Sequence, residues 1–389
     1  MSKAWKEVSL GEILKIERGG SPRPITSYLT DSKDGINWVK IGDTKGVTKY
    51  IYQTQEKIKP EGITKSRVVH SGDFILSNSM SFGKPYIMRT TGCIHDGWLV
   101  LRKEEDNINE DFLYYLLGSN LIYQQFSRLA SGSTVKNLNI NLVKKVKIPL
   151  PPIEEQKRIA DILDRADAIR QKRKRAIELT EELARSTFLD MFGDPFTNPK
   201  GWEKVQLNEL LSIVSGQIHP QEQPYADMLH IGGENIESNT GYLSGLQTPR
   251  ELSLKSGKYL FQPGDVLYCK IRPYLNKVVM PDFKGVCSSD IYSLRVNDSK
   301  LDSNYLVYLL RSKYFLNYAK KHSSRTNIPK INRSALLQFS FPYPPIALQK
   351  QFSNFCIKLR QTQSKIKSAS DQDSSLFNSL LQRAFKGEL

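Results

Sequence analysis

The chain has only four cysteines in 389 residues, and Cys93, Cys269, Cys287 and Cys356 stand far apart with no CxxC pair. That spacing excludes a zinc ribbon and a disulfide framework, and it suits a reducing compartment. No run of about 18 apolar residues occurs, so no membrane span is expected. The opening segment MSKAWKEVSLGEI has no apolar signal core, and a cytoplasmic location follows as the expectation. Histidine is scarce too: His70, His95, His219, His230 and His322 form no HxxxH or HExxH arrangement, and no metal site is expected from them. There is no GxGxxG or Walker loop to cradle a nucleotide, and no NPP-aromatic or DPP-aromatic tetrapeptide of the kind amino-methyltransferases use.

One partial match to a catalytic pattern exists. Pro281-Asp282 followed by Asp298-Ser299-Lys300 has the order of a PD…(D/E)xK nuclease, in which two acids hold Mg2+ and a lysine assists the attacking water. In a lysine-rich chain that order arises readily by chance, and NDSKLD reads as a loop before a helix. A nuclease or methyltransferase fragment using Asp282, Asp298 and Lys300 is one alternative, and a protein scaffold is another.

Acidic residues are outnumbered. Lys plus Arg total 56 against 40 Asp plus Glu, a net charge of +16. An excess of that size favours a polyanionic partner, because each phosphate met by Lys or Arg releases condensed counterions.

The chain also repeats itself. PLPPIEEQKRIADIL begins at Pro149, and PYPPIALQKQFSNFC begins 193 positions later at Pro342. Upstream, EDFLYYLLGS from Glu110 matches SNYLVYLLRS from Ser303, and HSGDFILSN from His70 parallels QPGDVLYCK from Gln262. Even the beginnings agree, WKEVSLGEIL at Trp5 with WEKVQLNELL at Trp202. Two copies of one unit are therefore present.

Each copy has a globular part and a helical part. Residues 1–150 and 198–343 carry short β-type runs between turn signals and read as α+β domains. Each is expected to close with one amphipathic helix, from Glu110 to about Leu129 and from Ser303 to about Lys321. Residues 151–197 and 344–389 hold the helical parts, 153–192 and 346–385, which lack internal Pro and Gly. The paired prolines before each suit a stiff helix entry, and MFGDP at 191–195 supplies a Gly and Pro stop.

With Ile159 and Phe352 at heptad position a, the first helix places Ala166, Arg173, Thr180 and Thr187 at a, with Ile162, Ile169, Ala176 and Leu183 at d. The second places Leu359, Ile366, Asp373 and Leu380 at a, with Phe355, Thr362, Ala369 and Leu376 at d. A shared phase is what two helices packing along one seam require. Arg173, Asp373 and the threonines weaken that seam, so extra apolar contact is expected. Connectivity demands that the second helix run back antiparallel, which places the two domains at opposite ends of a spacer about 60 Å long, related by an approximate two-fold axis. Two basic domains held that far apart meet a duplex one to two helical turns apart.

At this point SGSTVKNLN (131–139), IPLPPIEEQKRIADIL (148–163), MFGDP, KIRPYLNK (270–277) and the terminal AFKGEL resemble the specificity subunit of type I restriction-modification enzymes. The resemblance spans the whole chain, and the doubled proline and glutamine hinge carries most of it. It implies a non-catalytic subunit with two target-recognition domains, each reading half of a bipartite, asymmetric double-stranded DNA target. The fold so expected is α+β, with pseudo-two-fold symmetry and two long antiparallel helices as a coiled-coil-like spacer. Two methyltransferase subunits would dock on the helices and restriction motor subunits would join them. S-adenosylmethionine, ATP and Mg2+ would belong to those partners.

Phosphate contacts need cations on exposed loops, and base readout needs forked donors. In the first domain the candidates are Arg18 and Arg23 in ERGGSPRP, Ser81 and Lys84 in SMSFGKP, and Ser133, Thr134, Lys136 and Asn137 in SGSTVKN. In the second they are Gln217 and His219 in SGQIHP, Lys270, Arg272, Tyr274 and Lys277 in CKIRPYLNK, and Ser324, Arg325, Thr326 and Lys330 in HSSRTNIPK. Lys136 and Arg272 stand in the segments that carry the resemblance. The basic run RQKRKR at 170–175 lies in a helix of nine basic and nine acidic residues, and reads as a solvated or partner-facing surface.

Overall fold

The structure is a computed structural model that describes residues 5–78, 82–130, 138–323 and 328–389. The chain divides into two compact units, Met1–Arg173 with Ala369–Leu389, and Lys174–Ser368.

The first unit is built on two mixed five-stranded sheets. One has the order Leu14–Arg18, Trp98–Lys103, Phe74–Ser77, Pro85–Met88, Tyr50–Ile51. The other has Leu29–Thr30, Glu56–Ile58, Ile36–Val39, Gly92–Ile94, Arg67–Val69. Strand Lys6–Ser9 pairs antiparallel with Lys147–Leu150 and closes the domain at the proline hinge. In the second unit, Leu211–Ile213, Ile291–Val296, Val266–Cys269 and Val278–Val279 form one sheet, and His230–Ile231, Gly285–Cys287 and Tyr259–Phe261 another. The repeat in sequence is thus a repeat in fold. In both units a buried central strand (Phe74–Ser77, Val266–Cys269) lies between the same two neighbours, and one parallel pair recurs, Ile36–Val39 with Gly92–Ile94 and His230–Ile231 with Gly285–Cys287.

The turn before that central strand explains the repeated Gly-Asp. Gly72 and Gly264 take φ of +94° and +88°, a left-handed conformation that glycine adopts without steric cost. Asp73 then accepts the His70 N–H at 2.8 Å and Arg102 at 3.0 Å. Asp265 accepts the Gln262 N–H at 2.9 Å and Arg295 at 2.7 Å.

The hinge has an equally local cause. Gln156 and Gln349 are almost fully buried at the first turn of each long helix. The Gln156 carbonyl accepts from the Asn109 N–H at 2.9 Å while its amide donates to the Pro151 carbonyl at 2.9 Å. Gln349 does the same with the Asp302 N–H at 3.0 Å and the Pro344 carbonyl at 2.8 Å. Asn109 and Asp302 are the N-caps of the helices Glu110–Leu117 and Ser303–Arg311, so one amide fastens the long helix to the start of another. A second fastening follows along each long helix. Lys49 reaches Asp164 at 2.8 Å and Asp111 at 2.6 Å among the rings of Tyr50, Tyr114 and Tyr115. Burial alone would lower its pKa, but the two carboxylates outweigh that and raise it. In the second unit Arg360 donates to Asn304 at 2.6 Å, and Asn304 to Ser353 at 2.7 Å.

The long helices run Ile153–Phe192 and Ile346–Phe385. Within the first unit Arg158 donates to the Leu389 carbonyl at 2.7 Å and Arg173 pairs with Asp373, so these segments run antiparallel. Within the second, Gln363 donates to Thr180 at 2.7 Å and the Phe188 and Phe192 rings lie 5.6 and 5.4 Å from Phe352. Of the polar residues expected to weaken the seam, Arg173 and Asp373 thus satisfy one another and Thr180 accepts from Gln363.

Two expectations are corrected. The a positions are as expected, but their partners are not at d: Ile169, Leu183 and Leu376 are 49%, 48% and 57% exposed. The buried companions lie four residues after a instead of three, at Leu163, Ala184, Cys356, Gln363, Phe377 and Ala384. Neighbours at i+3 and i+4 share a helix face, and Phe377, 6.0 Å from Tyr115, selects the i+4 row by packing on the domain. The closing helix of each domain is also two helices, Glu110–Leu117 then Asn120–Ala130, and Ser303–Arg311 then Lys313–Lys321. The breaks fall at serines that compete for backbone partners. Ser119 donates to Leu116 O at 2.6 Å, and Ser312, with extended ψ of 153°, accepts from the Phe315 N–H at 3.2 Å.

Candidate nucleic-acid interface

The ERGGSPRP loop and the residues around Lys84 meet at the end of the first domain's central strand. Asn78, just after Phe74–Ser77, donates its N–H to Gly97 O at 3.0 Å and its side-chain amide to Asp96 O at 2.9 Å. Its carbonyl accepts from the Leu138 N–H at 2.9 Å. Ser77 binds the Lys84 carbonyl at 3.1 Å. Asp96 completes the cluster. Its carboxylate accepts from Ser21 Oγ at 2.7 Å and lies 3.9 Å from the Arg23 guanidinium, while its carbonyl accepts from Arg18 Nε at 3.2 Å. The Ser21 hydroxyl holds the Asp96 carboxyl below its ordinary pKa range. Arg18, Arg23 and Lys84 are exposed.

The second domain repeats the same bonds around Lys270. Its N–H meets Asp290 O at 3.0 Å, its ammonium meets Ser289 O at 2.7 Å, and its carbonyl accepts from Ile331 at 3.1 Å. Cys269 binds the Lys277 carbonyl at 3.1 Å. Lys330 pairs with Ile271, and Arg272 N–H donates to Pro329 O at 2.7 Å, so Arg272 and Lys330 are neighbours, whereas the Lys277 ammonium donates to Gly233 O. Arg272 and Asn276 both take left-handed backbone angles, φ +49° and +51°. Such angles cost a non-glycine residue on the order of 1 kcal/mol and persist only where contacts enforce them. Here Asn276 donates to Asn239 at 3.0 Å and Arg311 O at 3.2 Å, and the loop lifts Tyr274 to 60% exposure. Gln217 and His219 are exposed beside the Ile218 and Lys258 bridge, and Lys258 feels the Asp290 carboxylate.

Ser81, Ser133, Thr134, Lys136, Asn137, Ser324, Arg325 and Thr326 lie outside the described residues. Asp96, the residue that gathers the first set, is absent from the sequence candidates because an acid in a basic loop is no signal for a polyanion. Its one trace is the HDG turn after a short apolar strand.

In the basic run, Arg170 stacks on Phe377 at 4.4 Å, Arg173 pairs with Asp373, and Arg175 pairs with Glu178 and Glu182. Asp282, Asp298 and Lys300 are all exposed. Among the described residues no group of three or more His, Cys, Asp or Glu could hold a metal ion, and no helix is long and apolar enough to cross a membrane.

The model of the type I restriction modification DNA specificity domain matches residues 2–180 and again 199–371. The chain belongs to this family. As a specificity subunit it serves DNA target recognition and is not itself catalytic, which displaces the nuclease and scaffold alternatives. The EcoDI specificity subunit of Escherichia coli is 27% identical over 424 residues, covering 99% of this chain and 88% of that protein. The MjaIX specificity subunit of Methanocaldococcus jannaschii is 24% identical, covering 90% and 88%. Among solved structures, the S subunit of a type I restriction-modification system from M. genitalium has a TM-score of 0.58 at 14% identity, over 98% of this chain and 96% of that one. A chain from a study of complex assembly and conformational transition in the type I R-M system has a TM-score of 0.53 at 20% identity, over 100% and 99%. At these identities the two structures speak for the fold of a specificity subunit.

Proposed function

We propose that this specificity subunit reads a bipartite, asymmetric DNA target, one half with residues 1–150 and the other with residues 198–343. One observation carries the reading. The same backbone bonds recur around Asn78 and Lys270, but the side chains they present differ, Asp96 in one copy and Ser289 in the other. A repeated scaffold with unlike tips suits two different half-sites. The contacts in the first half are Arg18, Arg23, Lys84, Ser133, Thr134, Lys136 and Asn137. In the second they are Gln217, Lys270, Arg272, Tyr274, Lys277, Arg325 and Lys330. Arg272 is the base-reading candidate, because its enforced backbone pre-orders a forked donor.

The helical parts, 151–197 and 344–389, act as an antiparallel, coiled-coil-like spacer that sets the gap between half-sites, with the domains related by a pseudo-two-fold axis. Two methyltransferase subunits dock on it, and restriction motor subunits join them. The apolar Leu179, Leu183 and Leu189, exposed on the first long helix, support a docking role. The partners carry S-adenosylmethionine, ATP and Mg2+, and the complex works in the cytoplasm.

The test is co-expression with the cognate methyltransferase subunit and mapping of modified bases in the host DNA by long-read sequencing. A split motif with a fixed gap is expected, and it disappears when this chain is deleted. A modification pattern indifferent to this chain would sink the proposal.

A further inference from the structure

The second domain carries a side chain where the first carries none. Ser77 N–H meets the Lys84 carbonyl and Cys269 N–H meets the Lys277 carbonyl, both at 3.1 Å, so Gly83 and Asn276, each just before its lysine, hold equivalent places. Both take left-handed backbone angles, φ +83° and +51°. Glycine adopts that conformation without steric cost, so the turn by itself gives no reason for an asparagine.

What the asparagine adds is reach. In a turn its side chain ordinarily bonds its own backbone two residues on. The Asn276 amide instead donates to Asn239 Oδ1, 37 residues away in the chain, and to the Arg311 carbonyl, 35 away. The Asn276 backbone carbonyl also accepts from the Asn239 N–H at 3.0 Å. Asn276 is 3% exposed, and its Oδ1 finds no partner among the described residues, a desolvation cost that a residue kept only to make the turn would avoid.

Asn239 has a firm footing. Its carbonyl accepts from Arg185 on the first long helix at 2.8 Å, and Tyr242, three residues on, donates to Glu181 of the same helix at 3.4 Å. Between them Gly241 lies so close to Arg311 and the Val278 carbonyl that a Cβ there would collide with both. On the other side of Asn276 the turn is closed by Leu275 N–H to Arg272 O at 2.9 Å and Asn276 N–H to Pro273 O at 3.0 Å, with Arg272 and Tyr274 exposed on it. A line of hydrogen bonds therefore runs from the long helix through Asn239 and Asn276 to the turn that displays Arg272. Holding the base of a long side chain in advance reduces the ordering cost of binding.

We propose that Asn276 is a positioning residue for the second half-site: through Asn239 it fixes the Arg272–Tyr274 turn against the first long helix, so that Arg272 meets its base in a preset direction. The inference rests on the two-reader function proposed above, with Arg272 as a base contact.

The experiment uses the full chain assembled with its methyltransferase subunits. Asn276→Gly installs the first domain's residue and keeps the left-handed turn, and Asn239→Gly removes the same side-chain bond from the other side, at φ +68°. Arg272→Ala and the double Asn276→Gly, Arg272→Ala complete the set. Modification rates are measured on the mapped target and on a panel carrying every single base-pair change in both half-sites. In Asn276→Gly, discrimination in the second half-site falls on the order of tenfold, the scale of one good base contact, and in the first half-site it stays as in wild type. Asn239→Gly relaxes the same half, and carries the test if Asn276→Gly does not fold. The double variant discriminates no worse than Arg272→Ala alone, a result that a mere loss of stability does not produce. Wild-type discrimination in both glycine variants, a uniform fall across the panel, or a double variant that loses the product of the two single losses overturns the role of Asn276 and leaves two readers standing. An Arg272→Ala variant with the second half-site untouched, or a wild-type panel with no separable halves, overturns the reading beneath it and the role of Asn276 as well.

Discussion

Gln349 shows how much a single buried amide can hold. It accepts from an N-cap N–H and donates to a proline carbonyl, and its own side chain is fully buried. Gln349→Leu keeps the volume and strands both partners, at about 1–3 kcal/mol each. Chemical denaturation should therefore show a loss of about 2–6 kcal/mol, whereas a change at exposed Gln351 should cost next to nothing. His230 makes a pH prediction. It is buried, neither ring nitrogen finds a partner among the described residues, and burial with the nearby Lys258 ammonium pushes its pKa below the ordinary 6.5, only partly offset by Glu234. Above that value both states are neutral. Below it the unfolded chain takes up a proton that the folded unit resists, so stability falls as pH drops from 6.5 toward the lower folded value. Denaturation at about pH 7.5 and about pH 5.5 should show a steeper loss for wild type than for His230→Leu. His95, also depressed by burial, leaves a residual slope. The glutamine repeats visibly in sequence, but the N-cap it fastens sits 47 residues upstream, so its role was not legible there.

At the scale of elements, the long helices were legible because nothing inside residues 153–192 or 346–385 breaks a helix. Their buried row was not. Apolar residues occur at both i+3 and i+4 from Ile159, Arg173, Thr180, Phe352 and Asp373, and packing of Leu163 and Phe377 on the domain decides between them. The same holds for the helices split at Ser119 and Ser312, where a hydroxyl outcompetes an apolar pattern that runs straight through. The seam makes a testable case. Arg173 and Asp373 are partly buried against each other. Removing one partner strands the other, whereas replacing both with apolar residues relieves two desolvated charges. Arg173→Leu alone is expected to cost about 1–2 kcal/mol, with the double Arg173→Leu, Asp373→Leu variant near or above wild type. A double-mutant cycle by thermal denaturation checks the sign.

For the whole molecule, the repeat was legible end to end, and so was the class of partner, since charge and hinge both survive in composition and short motifs. The convergence of the loops was not, because Asn78, Asp96 and Leu138 are scattered along the chain and meet only through sheet pairing. Binding should be strongly salt-dependent, with the affinity for target DNA falling linearly in log salt. Arg272→Ala should lower discrimination in one half-site, whereas Lys84→Ala should weaken binding evenly across sequences and flatten the salt slope by about 1. Filter or fluorescence titrations at several salt concentrations distinguish the two. The first unit has one more property. Its core includes Phe377, Ala384 and Phe385, so it draws on residues Ala369–Leu389, whereas Lys174–Ser368 is a continuous unit. On a ribosome adding about 5–20 residues per second, the unit that starts first is completed last. During that interval Phe112 and Tyr115 lack the rings that cover them, and an emerging chain is a client for chaperones at its N-terminal half, not its C-terminal one.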